Sequence, residues 1–239
     1  MNMKLKPRLL AIAQMVKNNS VVADIGTDHG YIPVYLINHE IARKVIAADI
    51  NRGPLNSANS TIKAHGLENY IETRLGSGLE VLLPGEVDTV IIAGMGGLLI
   101  RDLLNARPDI VQTVTTFILQ PMVAQDELRK WLIHNSFQIV EEKLVKEDHR
   151  IYEIMVVQKG HQEIPDDLYY DIGIKLIENK DPLLREFLLK HIQKNKVIIE
   201  GLKDQSSEEG CAKRLSCREK LEKLEEVLQW LNQEEKLLK

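Results

Sequence analysis

VVADIGTDHG, residues 21–30, is the stretch that decides the fold. Residues 21–25 have the composition of a buried strand, and Gly26 and Gly30 follow in a short turn. In an open α/β sheet, a ligand binds outside the carboxyl ends of the strands, and glycines let the backbone of a turn approach it closely. The stretch therefore predicts a sheet strand followed by one wall of a binding site.

Strand-like and helical segments alternate along the chain after this stretch. The further predicted strands are residues 44–50, 70–76, 87–94 and 115–120. Helices are predicted over about residues 32–40, 54–65, 98–106 and 124–135. Because the strands are nearly continuous apolar runs, this alternation favours a parallel sheet that is covered by helices on both faces.

Residues 137–148 and 150–160 are two strand-like runs joined by a short polar turn, which predicts an antiparallel hairpin. A parallel sheet that ends in such a hairpin is typical of methyltransferases and unusual for a plain dinucleotide-binding sheet. The predicted fold class is therefore α/β: a doubly wound, Rossmann-like class I methyltransferase sheet that ends in an antiparallel hairpin, in a domain of residues 1–160.

Residues 161–239 are predicted to form a separate helical domain. Four leucines of the last helix recur at the 3-4-3 spacing of a coiled coil, and the preceding helix offers an apolar partner face. The leucines are Leu221, Leu224, Leu228 and Leu231, and the partner residues are Leu184, Leu188 and Ile192 with Ile198 or Ile199. The simplest interpretation is a C-terminal α-helical coiled-coil hairpin, which could contact a partner or mediate self-association.

Charge and composition limit the classes of function. The net charge is −4, so the chain as a whole does not favour a nucleic-acid substrate, although Lys4, Lys6, Arg8 and Lys17 could form a local basic patch. No apolar run approaches the roughly 18–20 residues that a membrane span needs. With no cleavage site for a signal peptide and two cysteines that are best interpreted as free thiols, we expect a cytoplasmic protein without a membrane partner.

Two carboxylates in the first motif, Asp24 and Asp28, favour a cationic ligand. They suit the methionine end of S-adenosylmethionine and would repel a pyrophosphate, and the motif lacks G-x-G-x-x-G spacing. Thr27 and His29 complete the turn, and for His29 a structural and a catalytic role have equal weight. The alternative is an ordinary strand-to-helix turn with capping aspartates.

Asp49 ends the second predicted strand, where a carboxylate can accept hydrogen bonds from ribose hydroxyls. Alone it fits NAD and S-adenosylmethionine equally, and it could instead cap a helix. In the predicted methyltransferase fold, the loop after the third strand lies beside the adenine ring. We therefore expect Ser77 of residues 76–79 to be hydrogen-bonded to the adenine edge and Leu79 to pack on the ring face. The alternative for this loop is a flexible turn.

Two further loops follow the fourth and fifth predicted strands. Residues 93–97, AGMGG, let backbone carbonyls approach a ligand that Met95 contacts, or only ease the start of a helix. Gln120, in QPM at 120–122, could hydrogen-bond a base edge or mark a strand-end turn, with equal weight. The seven histidines and two cysteines show no metal-ligand spacing, so no metal is expected.

Five motifs together resemble the bacterial tRNA adenine-N1-methyltransferase family that modifies position 22. They are DIGTDHGYIP (24–33), AADINRGPL (47–55), LGSGL (75–79), AGMGG (93–97) and QPM (120–122), and the resemblance continues into the C-terminal helices. It implies a class I methyltransferase with tRNA as its partner. The donor would be S-adenosylmethionine, the product S-adenosylhomocysteine, and the acceptor N1 of adenine 22 in the D-arm of tRNA.

The motifs and the resemblance give three sets of candidate site residues. The cofactor-binding candidates are Asp24, Gly26, Thr27, Asp28, His29, Gly30, Asp49, Ile50, Gly76, Ser77, Gly78, Leu79, Ala93, Gly94 and Met95. The substrate-binding candidates are Gly96, Gly97, Gln120, Pro121 and Met122. The catalytic candidates are Asp28, Met95 and Gln120.

Adenine N1 has a free lone pair, so this reaction needs positioning for in-line transfer more than it needs a general base. The adenine has to leave its stack to enter a pocket, and carbonyls or a carboxylate would stabilise the cationic product. The alternative functions are a methyltransferase for another RNA or a small molecule, a nicotinamide-dependent oxidoreductase, and a non-catalytic adaptor with a coiled-coil arm.

Overall fold

The computed structural model describes residues 3–205 and 207–237. The predicted domains of residues 1–160 and 161–239 therefore include a few residues outside the described part. The chain divides into two compact units, of which the first ends at Glu163 and the second begins at Ile164. Within the described residues, no helix is both long enough and apolar enough to cross a membrane.

The first unit contains one mixed sheet. Its strands are β1 (Ser20–Ile25), β2 (Ala42–Asp49), β3 (Ile71–Leu75), β4 (Thr89–Met95), β5 (Thr116–Pro121), β6 (Phe137–Glu147) and β7 (Arg150–Lys159). They lie in the order β3-β2-β1-β4-β5-β7-β6, with β1 to β5 parallel and β7 antiparallel to both β5 and β6. The predicted α/β class, the parallel sheet and its final antiparallel hairpin are confirmed.

Helices cover both faces of this sheet. They are α1 (Pro7–Gln14), α2 (Tyr31–Asn38), α3 (Arg52–Ala64), α4 (Gly97–Ala106), α5 (Pro108–Val111) and α6 (Gln125–His134). Neighbouring strand residues point to opposite faces, so Val22 and Ile91 pack with α1 and α2, whereas Ala23 and Ile92 pack with α4 and α6. Burial of each of the larger aliphatic side chains, Val22, Ile91 and Ile92, stabilises the unit by about 1.5–3 kcal/mol.

The sequence patterns did not predict α1, which forms because it is docked on the sheet. Pro7 lies at the first position of α1, where a backbone N–H would have no hydrogen-bond partner within the helix, so its absence in proline costs nothing. Ala11, Ile12 and Ala13 are buried, and the Arg8 backbone N–H donates to Glu147 Oε2 of β6 at 3.1 Å. A helix of 8 residues is too short to be stable by itself, so these contacts are what hold it.

The second unit is helical. Its helices are α7 (Leu168–Ile172), α8 (Ile174–Glu178), α9 (Leu184–Gly201) and α10 (Glu208–Leu237). Arg185 near the start of α9 donates to Asn232 near the end of α10 at 2.8 Å, while Lys196 pairs with Glu225 at 2.8 Å. The contacts advance in opposite directions along the two helices, which are therefore antiparallel.

The apolar seam of this helical hairpin contains most of the residues that the spacing predicted. Buried residues on it are Leu184, Leu188, Ile192, Leu224 and Leu231. Leu221 and Leu228 are only half-buried. The helical hairpin is present, and the side-chain interlocking that defines a coiled coil stays a prediction.

A buried ionic cluster joins α6 to the β6–β7 hairpin. Arg129 Nε donates to Glu142 Oε1 at 2.8 Å and Arg129 Nη2 donates to Glu153 Oε2 at 2.7 Å. The three side chains are at most 7% exposed. Burial raises the pKa of Glu153, and the charge of Arg129 opposes that rise. Charges buried in this way are tolerated only while their partners are present.

We expect Arg129→Met to lower the unfolding free energy of the first unit by about 3–5 kcal/mol, because it leaves two carboxylates buried without their cation. Urea denaturation would be followed in a Trp230→Phe background, in which Trp131 of α6 is the remaining tryptophan.

The matched control is Lys44→Met, which removes a surface cation that pairs with Glu72 at 3.1 Å. Its loss should change the unfolding free energy by only about 0–1 kcal/mol. Equal effects of the two substitutions would contradict a structural role for the buried cluster.

Candidate functional site

A cavity of about 560 Å³ opens at the carboxyl ends of β1 and β4. Its lining comes from the N-terminal segment, from the turn after β1 and from the end of β4. The lining residues are Lys6, Arg8 and Leu9, then Asp24 and residues 26–32, then Ala93 and Gly94. The cavity thus brings Asp24 and residues 26–30 of the first motif together with the first two residues of the fourth.

Backbone hydrogen bonds fix the turn after β1. The N–H groups of Gly26 and Thr27 both donate to the Ala48 carbonyl of β2, at 2.8 and 2.9 Å. Gly26 has a φ of +80°, a conformation that glycine adopts without strain. A Cβ at Gly26 would lie 2.2 Å from the terminal methyl of Met95. Met95 therefore packs against this turn. It is not among the residues that line the cavity, although it was predicted to contact the ligand.

Asp24 is the buried carboxylate of the cavity. Burial, with a smaller contribution from the charge of Asp49, raises the pKa of Asp24 from 3.8 to about 6, and the nearby Thr27 hydroxyl offsets part of the rise. At neutral pH the carboxylate is consequently ionised but poorly solvated. A cationic ligand in the cavity would stabilise it.

The Thr27 hydroxyl is a second group that lacks a partner. It is buried and lies close enough to Asp24 to lower the pKa of that carboxyl, but no described group meets it at full hydrogen-bond geometry. Leaving a buried hydroxyl unbonded costs about 1–3 kcal/mol. Thr27 and Asp24 together therefore fit a ligand that brings a cationic, hydrogen-bonding group.

An aromatic pair forms another part of the cavity lining. The rings of His29 and Tyr31 are stacked with their centroids 5.1 Å apart, and His29 Nε2 lies 3.4 Å from Asp28 Oδ2. Tyr31 is exposed, as is the Asp28 side chain. The pair offers a flat face to a planar ligand, with a carboxylate beside it.

The second and third motifs lie at the same edge of the sheet but do not line this cavity. Asp49 Oδ1 accepts a hydrogen bond from the Asn51 N–H at 2.7 Å, which orients the carboxylate. Ile50 is 64% exposed, so it is available to a ligand. Gly76, Ser77 and Gly78 are partly exposed. Leu79 is only 1% exposed, because it belongs to the core beneath the loop.

The loops after β4 and β5 are bound to each other through their backbones. The Met122 N–H donates to the Met95 carbonyl and the Gly97 N–H to the Val123 carbonyl, each at 2.8 Å. A Cβ at Gly97 would lie 2.2 Å from the Ala124 carbonyl oxygen, whereas one at Gly96 would meet nothing closer than 3.6 Å. Close approach of two loops is thus what requires glycine at position 97.

Gln120 lies beneath the cavity and is fully buried. Its Oε1 accepts hydrogen bonds from Arg8 Nη1 at 2.6 Å and from the Gly94 N–H at 3.2 Å. Its Nε2 donates to the Pro121 carbonyl at 2.9 Å and lies 3.6 Å from Met122 Sδ. Both ends of the amide that was expected to meet a base edge are therefore occupied by protein groups.

Sequence reasoning did not assign the N-terminal part of the cavity. Lys6 and Arg8 had been noted as basic residues, but nothing in the sequence shows that α1 packs against β6 and α2, which brings them to this cavity. No function was predicted for Tyr31, which directly follows Gly30. The lining carries charges of both signs: Asp24 and Asp28 come from β1 and the turn after it, and Lys6 and Arg8 come from the N-terminal segment. Across the described residues, no group of three or more His, Cys, Asp or Glu side chains could hold a metal ion.

The chain is similar to known proteins over most of its length. The family described as "Methyltransferase domain" matches residues 5–155. The tRNA (adenine(22)-N(1))-methyltransferase of Bacillus subtilis (strain 168) is 38% identical over 197 residues, which cover 82% of this chain and 79% of the relative.

Solved structures agree with this similarity. The crystal structure of the B. subtilis m1A22 tRNA methyltransferase TrmK has a TM-score of 0.87 and 32% identity, and the match covers 95% of this chain and 100% of that one. The structure of Streptococcus pneumoniae Sp1610 in complex with S-adenosyl-L-methionine has a TM-score of 0.84 and 30% identity, with 94% of this chain and 100% of that chain covered.

We expect Gly97→Ala to lower the melting temperature, because the new methyl group would force the loops after β4 and β5 apart. Overpacking of this kind costs about 1–3 kcal/mol, which in a protein of this size corresponds to a fall of roughly 2–12 °C. Differential scanning calorimetry would measure it. Gly96→Ala is the matched control and should shift the melting temperature by less, whereas equal shifts would refute the close-approach argument.

Proposed function

The chain belongs to the family of tRNA (adenine(22)-N(1))-methyltransferases, and we propose that its cavity is where N1 of adenine 22 in the D-arm of tRNA is methylated. S-adenosylmethionine supplies the electrophilic methyl group and S-adenosylhomocysteine is the product. The observation that supports this use of the cavity is the buried Asp24 carboxylate beside the unbonded Thr27 hydroxyl. A ligand with a cationic methionine end satisfies both groups.

We assign the residues that hold this ligand from their chemistry. Asp24 binds the ammonium group of the methionine end, and Thr27 supplies a hydrogen bond next to it. The Asp49 carboxylate, oriented by the Asn51 N–H, accepts hydrogen bonds from the ribose hydroxyls. Ile50, which follows β2, and Ser77, in the loop after β3, are assigned to the adenine.

On the acceptor side, the task of the chain is to position the base, because N1 already has a lone pair. Tyr31, stacked on His29, offers a face on which an adenine that has left its stack can lie. The Asp28 carboxylate and the carbonyls of Ala93 and Gly94 belong to the same lining. They would stabilise the positive charge that the adenine gains as the methyl group is transferred.

The helical unit, within the predicted domain of residues 161–239, is proposed to contact the body of the tRNA. Lys220 and Lys223 of α10 are ion-paired with Asp171 and Asp166, so they are partly neutralised. Lys213, Arg214 and Arg218, which lie earlier on α10, are better placed to meet phosphates. Because tRNA is the substrate, we also propose a cytoplasmic location.

The direct test incubates the purified protein with labelled S-adenosylmethionine and unmodified tRNA transcripts, and identifies the methylated nucleoside by mass spectrometry. We expect the label on N1 of adenine. A transcript with guanosine at position 22 is the matched control and should accept no label. Label that persists in this transcript, or no label in either, would overturn the proposed function.

A second prediction concerns the pH dependence of donor binding. A proton on Asp24 removes the charge that binds the ammonium group, so the affinity for S-adenosylmethionine should fall as the pH drops through about 6. The fall approaches tenfold for each pH unit below that pKa. Isothermal titration calorimetry between about pH 5 and about pH 7 would measure it.

Asp24→Asn should bind the donor weakly at every pH and without this pH dependence. The same substitution should stabilise the unliganded protein at neutral pH. The folded state holds the Asp24 proton more tightly than the unfolded state, so wild-type stability is lost as the pH rises from about 4 to about 6. The loss amounts to about 3 kcal/mol at most. Unchanged donor affinity in Asp24→Asn would remove Asp24 from the site.

A further inference from the structure

Arg8 is held at the wall of the cavity by a buried amide. Gln120 Oε1 accepts from Arg8 Nη1 at 2.6 Å, and the same oxygen accepts from the Gly94 N–H. The Gln120 Nε2 group is bonded to the Pro121 carbonyl, so the amide cannot rotate without losing these contacts. Gln120 therefore fixes the direction in which the guanidinium points.

The rest of Arg8 is also fixed. Its backbone N–H donates to Glu147 Oε2 at 3.1 Å, and its guanidinium carbon lies 5.4 Å from the centre of the Tyr152 ring. Of the five N–H donors of a guanidinium, one is used by Gln120. Within the described part of the chain, no carboxylate forms a salt bridge with this guanidinium, although it lines the cavity. A cation that is oriented but lacks a counter-ion fits an anionic ligand.

The position of Arg8 in the sheet indicates which ligand carries that anion. Its side chain contacts Gln120 of β5 and Tyr152 of β7, and Gly94 of β4 shares the same Gln120 oxygen, whereas the motifs assigned to the donor follow β1, β2 and β3. Arg8 thus belongs to the acceptor half of the cavity. A guanidinium placed against the base would oppose the positive charge that N1 gains, which leaves the backbone of the acceptor as its partner.

We propose, on the basis of the methyltransferase function above, that Arg8 binds a phosphate of the tRNA backbone next to the methylated adenosine. Gln120 is a positioning residue that acts through Arg8. A guanidinium can hold a phosphate through two parallel hydrogen bonds. Phosphate contacts set the register of a nucleic acid on a protein without reading its bases. At this site, such a contact would hold the adenosine once it has left its stack.

The experiment measures the KM and kcat for the tRNA transcript between about 50 and about 200 mM salt, together with the Kd for S-adenosylmethionine. Arg8→Ala should raise the KM for tRNA by roughly tenfold to a hundredfold, as expected for a lost charge-assisted hydrogen bond. It should also reduce the slope of log KM against log salt by about one. The Kd for the donor should stay at the wild-type value, and Arg8→Lys should keep the salt slope.

Arg43→Ala is the matched control, since it removes an exposed arginine near the amino end of β2, at the opposite edge of the sheet. It should leave the KM and the salt slope unchanged. Gln120→Met should raise the KM for tRNA in the presence of Arg8 and add nothing in an Arg8→Ala background, because coupled residues are not additive. Its Kd for the donor reports whether the cavity is intact.

Three outcomes would overturn the proposal. An increase in the donor Kd of Arg8→Ala, with an unchanged salt slope, would mean that Arg8 binds the carboxylate of the methionine end. Equal KM values for tRNA in the wild type and Arg8→Ala would mean that Arg8 binds no phosphate of the tRNA. Additive effects of Gln120→Met and Arg8→Ala would mean that Gln120 does not act through Arg8. Methylation of the transcript by the wild-type protein tests the proposed function separately.

Discussion

Parallel pairing of β1 with β2 and β4 is the constraint on which the site depends. Asp24 lies in register with Ala47 on one side and Ile91 on the other, so all three strands end at the same edge of the sheet. The loops that follow begin next to each other, and backbone hydrogen bonds then join them. The turn after β1 donates to the end of β2, and the loop after β5 donates to the end of β4. The cavity is thus assembled mainly by main-chain geometry.

This assembly gathers charges that the free chain would keep apart. Asp24 is buried, with the charge of Asp49 near enough to raise its pKa further, and its surroundings in the unliganded protein do not fully compensate it. Lys6 and Arg8 line the same cavity, yet Arg8 is directed to an amide and not to a carboxylate. Opposite charges held apart in one cavity are suited to two ligands of opposite charge, a cationic methyl donor and an anionic nucleic acid.

The sequence was sufficient wherever the signal is local. The strand ends and the acidic turn at Asp24 follow from residues within a few positions of each other. Gly97 was expected to ease the approach of a ligand or the start of a helix, and its approach to Ala124 in the loop after β5 was not predicted, because the two residues are far apart along the chain. The α1 helix was not predicted, because so short a helix is stabilised only by its docking on the sheet and on α2. Arg8 was noted only as a basic residue, since its place in the cavity depends on that docking. The bonding of Gln120 could not be predicted either, since its partner Arg8 is 112 residues away. Leu79 lies in the core and not at the surface because the loop folds back into a short 3₁₀ turn, which its sequence does not indicate.

The β6–β7 hairpin supports structures on both faces of the sheet, because successive side chains of β7 point to opposite faces. Tyr152 and Glu153 are neighbours on β7 and point to opposite faces of the sheet. Tyr152 lies beneath the Arg8 guanidinium, and Glu153 binds Arg129 of α6.

On β6, the register shifts between Ile139 and Glu141. A shift of one residue exchanges the faces of all later side chains. It lets Glu142 face α6 while Glu147 faces α1 and receives the Arg8 N–H. The irregularity in β6 is therefore what allows a single hairpin to anchor the buried cluster on one face and the N-terminal wall of the cavity on the other.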